Sequence, residues 1–355
     1  MGDTIVALPS LHVLRQNFPE ARITLLHERP SGSLVQVEQL LDGSELIDDY
    51  MMYPVLSRND RRATALLEMI RLLFHLRWRQ YDLLVHMAVG DRTSWQDVRD
   101  RLFFRLAGIE RQILSSEYRP PRSGDRPLPV VMQEADFLLS CLGRSGLRVP
   151  AAGTGCMDLC LGPSEAAEVA RWERETGLAG DRRLRVAFGL ASKMPAKRWP
   201  LDRYLVVARH LVDKCDIMPV AFGGAEDAAA AEQLIAVCGR GASACGKLGM
   251  RGAIRALRDC RLYVGNDTGT MHMAAAAGVQ CVAIFSARNP PGKWFPYGSG
   301  HRVHRVAVSC EGCYLDVCEI ERMRCLTAIE PGEIIQSCEE ILRGHAELPG
   351  STVAK

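Results

Sequence analysis

Apolar positions recur alternately at helical and at strand spacing along both halves of the chain. Leu11 and Leu14 set a helix over 10–16, Pro19 ends it, and a strand follows over 23–26. The rhythm repeats as helix 33–41 with strand 46–50, helix 63–76 with strand 83–86, and helix 98–106 with the short strand 112–114. A loop rich in Pro, Gly and Arg over 119–129 interrupts it before a helix over 131–142. A second series then starts: strand 186–189, helix 201–212, strand 218–222, helices 228–237 and 250–257, and strands 262–264 and 281–285. Such alternation predicts an α/β protein with parallel sheets covered by helices. The polar stretch 143–162 is the natural linker. The expected division is residues 1–150, a linker and helix over 151–184, and a second α/β unit over 185–355.

Composition agrees with two units. At 355 residues and 47% hydrophobic content, the chain can bury two cores. A formal net charge of +2 provides no basic field, so nucleic acid is not an expected partner. Met1-Gly2-Asp3 lacks the pattern of a secretion signal and no run of about 18 apolar residues occurs, so the expected compartment is the cytoplasm. Thirteen cysteines, an odd and scattered number, read as reduced thiols rather than a disulfide framework.

The chemistry concentrates where the strands should end. Gly265-Asn266-Asp267-Thr268-Gly269-Thr270-Met271-His272 follows the strand 262–264 and precedes an alanine-rich helix. The free amides and positive dipole end of a helix's first turn attract an anion, and Gly269 lets a phosphate approach the backbone. Ligands of open α/β sheets bind beyond the carboxyl ends of strands, so the loops after 189, 222, 264 and 285 should line a cleft. There Lys197 can set an ammonium against a phosphate, while Pro200 suits the first position of the next helix. Gly223-Gly224 followed by Glu226 and Asp227 offers a carboxylate for ribose hydroxyls, with no choice between the two. Arg288 to Trp294 forms either a cap over the donor pocket or a surface turn. Gly241 to Lys247 matches a phosphate loop, but Leu248 stands where magnesium needs a hydroxyl. No Gly-x-Gly-x-x-Gly follows a strand, which removes the main support for a nicotinamide dehydrogenase.

Four motifs together resemble glycosyltransferase family 9, the ADP-heptose:lipopolysaccharide heptosyltransferases. They are Gly2-Asp3-Thr4 running to Pro9, Lys197-Arg198-Trp199-Pro200, Phe222-Gly223-Gly224, and Asp267-Thr268-Gly269-Thr270-Met271-His272. The resemblance implies a GT-B fold, two Rossmann-like domains facing across a cleft, acceptor in the first and nucleotide sugar in the second. It implies a metal-independent, inverting transfer of heptose from ADP-heptose to a lipopolysaccharide core or related acceptor, with no cofactor. Asp3 is then the general base. Lys197, Thr268, Gly269, Thr270 and His272 hold the donor phosphates, Asp267 the donor sugar, Glu226 or Asp227 the ribose, and Arg92 lies on the acceptor side. A lipid-linked acceptor also opens a peripheral contact with the cytoplasmic face of the inner membrane.

Two features depart from that pattern. The family has a strand before its Gly-Asp turn, and Met1 leaves no residues for one, so the N-terminal first strand is expected to be missing and about ten upstream residues to supply it. Cys310-x2-Cys313-x4-Cys318-x6-Cys325 has the ligand type for a structural zinc or iron, although the second pair is not a tight Cys-x2-Cys. Two other functions fit the same architecture: a GT-B relative using another sugar nucleotide, such as an epimerase or a capsule, O-antigen or protein glycosyltransferase, or a non-catalytic sugar-nucleotide binding module.

Overall fold

A computed structural model describes residues 2–28, 37–53, 62–87, 94–114 and 126–346. In chain order the first half comprises α1 (Gly2–Asn17), β1 (Thr24–Glu28), α2 (Glu38–Leu41), β2 (Asp49–Tyr53), α3 (Arg62–Arg79), β3 (Leu83–His86), α4 (Ser94–Leu106), β4 (Arg111–Leu114) and α5 (Glu134–Arg144). After a linker come α6 (Pro163–Glu175), β5 (Arg185–Gly189), α7 (Leu201–Cys215), β6 (Met218–Ala221), α8 (Ala228–Cys238), β7 (Ala242–Ser243), α9 (Met250–Leu257) and β8 (Cys260–Asn266). The chain continues through α10 (Gly269–Ala276), β9 (Gln280–Phe285), β10 (Arg302–Arg305), α11 (Arg324–Thr327) and α12 (Pro331–Ala346). No described helix is long and apolar enough to cross a membrane.

The second half is one six-stranded parallel sheet in the order β10-β9-β8-β5-β6-β7. Alternation along the central strands divides its side chains between two cores. Val186, Phe188, Leu262, Val264, Val282 and Ile284 face α7, α8 and α12, while Ala187, Tyr263 and Ala283 face the opposite way. That second core also takes Ile5, Leu8 and Leu11 of α1, so the first helix of the chain packs into the core of the second unit.

Among its described residues the first half carries two short parallel sheets. β1 pairs with β2 and β3 with β4, both parallel, as two separate two-stranded sheets. Their side chains are half-buried where those of β5 and β6 are almost wholly buried. The expected helix over 10–16 also begins earlier, at Gly2, and contains Pro9. Pro9 forfeits one backbone hydrogen bond, but its ring fills the space beside Gly155, where a Cβ would come within 2.6 Å of it. Strand β2 starts three residues later than expected, because Asp48 is used instead to bind the Arg15 guanidinium and the Ile23 amide.

Candidate active site

The carboxyl ends of β5 and β8 form a floor built around one tyrosine. Tyr263 is fully buried, and its hydroxyl would lie 1.9 Å from a Cβ on Gly189 and 2.4 Å from one on Gly265. Glycine is therefore required at both strand ends for the ring to lie across them. Burial raises the Tyr263 phenol far above its ordinary range.

Beyond that floor, Asn266 is fully buried and ties two loops together. Its Oδ1 accepts the Trp199 amide at 2.9 Å, and its Nδ2 donates to the Leu190 carbonyl at 3.2 Å. Trp199 is anchored a second time, its indole N–H donating to the Ile329 carbonyl at 3.2 Å. A 3-10 turn, Pro195–Lys197, runs into this anchor, and the Ala196 amide donates to the Asp316 carbonyl at 3.0 Å. Pro200 stands just before α7 rather than as its first residue. So held, Lys197 places its Nζ 2.7 Å from Asp267 Oδ2, with the two side chains 14% and 6% exposed.

Helix α10 begins at the next residues. Thr268 precedes it in an extended conformation and makes no side-chain cap, so the first amides of the helix remain available to an anion. His272 lies one turn in and is buried, and its Nδ1 has no hydrogen-bond partner among the described residues. Burial pushes its pKa down to about 4, assisted by Lys197 and opposed by Asp267 and Asp3. The N-terminus of α1 abuts that of α10: a Cβ on Gly2 would lie 3.4 Å from His272 Cδ2 and 3.7 Å from Gly269 Cα. Asp3 is exposed at that junction. Residues 3, 197, 267, 269 and 272, far apart in sequence, are thus brought to one place.

The ribose pair divides. Asp227 accepts the Gly224 amide at 3.0 Å and is half-buried, with burial raising its pKa, whereas Glu226 is exposed beside Gly224. Asp227 is thus tied into the turn, while Glu226 faces solvent. Arg92 lies outside the described residues. The loop after β9 is no surface turn. Arg288 is buried and donates to the carbonyls of Tyr314 and Leu315, and buried Lys293 faces Glu134 of α5 at 3.8 Å.

The cysteine expectation needs correcting in one respect. All thirteen cysteines are free thiols. Cys310, Cys313, Cys318 and Cys325 share one region, but among the described residues no three Cys, His, Asp or Glu side chains are placed to hold a metal ion. The donors therefore do not form a cage as they stand, and the loop is instead organised by its backbone. Cys318 is somewhat desolvated, which alone would raise its pKa, yet amides of Met323, Glu321 and Ile320 directed at its sulfur lower it, that of Met323 at 3.2 Å. Positive φ angles at Arg322 and Met323 bend the chain to aim those amides.

Sequence reading missed Asn266 as a positioning residue and the Asp316 carbonyl as a brace. Neither carries a local signal, since each acts on a partner distant in sequence.

Two parallel-stranded α/β units meeting over a helix N-terminus have the GT-B architecture. Residues 163–323 match the model of glycosyltransferase family 9 (heptosyltransferase). It is 30% identical over 142 residues to lipooligosaccharide heptosyltransferase 2 of Haemophilus influenzae, a match covering 37% of this chain and 40% of that one. It is 33% identical over 101 residues to lipopolysaccharide heptosyltransferase 2 of Escherichia coli, covering 27% and 29%. The sequence match thus spans less than half the length of these relatives. The fold similarity is more extensive. A family 9 glycosyltransferase from Veillonella parvula superposes with a TM-score of 0.71 at 18% identity, covering 97% of this chain and 94% of the other. E. coli ADP-heptose lps heptosyltransferase II gives 0.65 at 17% identity, covering 96% of each.

Proposed function

We propose that this chain is an inverting glycosyltransferase that moves heptose from ADP-heptose onto a lipopolysaccharide core or a related lipid-linked acceptor. The observation that carries this reading is the Lys197–Asp267 pair beside the uncapped start of α10, with Asp3 at the same junction. The names of the relatives supply the donor and acceptor; the site supplies the chemistry. The Asp3 carboxylate takes the proton of the acceptor hydroxyl as its oxygen bonds to the anomeric carbon. The bond from that carbon to the phosphate oxygen breaks, and ADP leaves with the electron pair. Amides of Gly269 and Thr270, the helix dipole and Lys197 stabilise the charge that grows on the diphosphate. Lys197 is shared between the phosphate and Asp267, which orients toward hydroxyls of the donor sugar. Neutral His272 supports the turn from beneath or donates to phosphate, and Glu226 accepts from the ribose. No step passes through a metal or the cysteine loop. On this reading the protein works in the cytoplasm and meets its lipid-linked acceptor in peripheral contact with the inner membrane.

Thermal melting with added nucleotides, followed by a transfer assay in chelator, tests the reading. ADP and more strongly ADP-heptose should raise the melting temperature while NAD does not, and transfer should persist in EDTA. A shift with NAD and none with any nucleotide sugar would overturn it, as would activity lost in EDTA and restored by magnesium.

A further inference from the structure

Helix α3 is apolar on two sides. Leu72 and Leu76 point inward against Leu26 and Met51, as an amphipathic crossover helix requires. Leu66, Ile70, Phe74 and Trp78, at steps of four, point outward, with Phe74 65% and Trp78 80% exposed. Helix α4 repeats this design beside it. Phe103 and Phe104 join the same inner cluster, while Trp95, Val98, Leu102 and Leu106 are turned to solvent. Arg77 donates to the Leu106 carbonyl at 3.4 Å and ties the ends of the two helices together. Each helix thus turns a line of large apolar side chains to solvent, and the two helices are joined at their ends.

Both helices also carry basic residues. Arg77 and Arg79 close α3, Arg79 in an ion pair with Asp49 at 3.0 Å, and α4 carries Arg99, Arg101 and Arg105, all exposed. The Arg99 guanidinium sits 5.6 Å from the centre of the Trp95 ring. Of the acidic groups on these helices, Glu68 and Asp97 are half-buried, and Asp100 is engaged by Arg99 and lies 3.8 Å from His86. A second copy of the chain docked here about a twofold axis would set one arginine rim against an identical one. An anionic lipid surface meets both features: headgroups take the arginines, and Trp, Phe and Leu enter the boundary of the acyl region. We infer that α3 and α4 form a docking face for an anionic lipid bilayer. This deepens the proposed function and rests on it for the lipid-linked acceptor, whereas the face itself follows from the exposed side chains.

Flotation of the full chain with phosphatidylethanolamine vesicles, with and without phosphatidylglycerol, tests the inference. The protein should float with phosphatidylglycerol-containing vesicles and only weakly with the others, and less so as salt rises. Phe74→Ser with Trp78→Ser should lower the bound fraction roughly tenfold or more, and Trp95→Ser should weaken it from the other helix. Arg99→Gln with Arg105→Gln should erase the preference for the anionic lipid. ADP-induced stabilisation, measured on the same variants, should be unchanged, which separates loss of the face from loss of the fold or failure of the donor reading. No flotation of the parent, flotation equal in parent and variants, or a parent dimer that the Phe74/Trp78 changes convert to monomer would overturn it.

Discussion

Lys197 has an anionic partner before any donor arrives, and this governs the result of removing it. Lys197→Ala deletes the proposed phosphate contact and strands the buried Asp267 carboxylate. ADP affinity should fall by about 1.5 to 3 kcal/mol, measured calorimetrically; unchanged affinity would reduce Lys197 to a structural partner of Asp267. His272 yields a pH prediction of definite sign. Its imidazole takes a proton near pH 6.5 when unfolded but only at about 4 when folded, because the site is buried. As pH falls below about 6.5 the unfolded state binds the extra proton first, so stability declines until about pH 4 and is undisturbed by this group above neutrality. The shift corresponds to about 3 kcal/mol across that window. Burial also depresses His301 and His304, so the measurement is the difference between parent and His272→Gln in denaturant melts at stepped pH. The variant should show the shallower acid slope, and an identical slope would refute the assignment.

Asn266 joins the end of β8 to the turn before α7 by two hydrogen bonds from a fully buried side chain. Asn266→Ala orphans the Trp199 amide and the Leu190 carbonyl, at a cost of about 2 to 4 kcal/mol in chemical denaturation. It should also weaken ADP binding by loosening the Lys197 turn, and wild-type affinity in a destabilised protein would show that Asn266 serves the fold alone. At this level the sequence was legible wherever local pattern decides. Helix α9 spans the residues that apolar spacing marks, and the strand–turn–helix around Asp267 stands where small residues and a polar turn place it. β10, Arg302–Arg305, is an edge strand with no apolar run to announce it. The first part of α1, up to Pro9, was hidden because Pro9 argues against a helix locally, while its justification, the packing on Gly155, is remote. For the same reason the choice between Glu226 and Asp227 required the turn geometry, and the absence of a metal cage at the cysteines among the described residues required coordinates.

Across the whole molecule, the proposed base and the proposed donor seat belong to different units, packed together through α1 and α10. Binding and chemistry should therefore separate. Asp3→Asn should reduce transfer at least a hundredfold while leaving ADP affinity intact, as read from turnover and calorimetry on one preparation; wild-type turnover would remove Asp3 from the mechanism. The brace on the Lys197 turn bears on how the protein is made. Ala196 is held by the Asp316 carbonyl and Trp199 by that of Ile329, so Lys197 takes part of its positioning from chain synthesised long after it. Domains assemble progressively from the N-terminus during synthesis, yet the Lys197 turn gains these two braces only after the segment beyond β10 has left the ribosome. If Lys197 seats the donor as proposed, chains shortened before Asp316 should bind nucleotide sugar more weakly than the full chain, and equal affinity would show that the braces are dispensable.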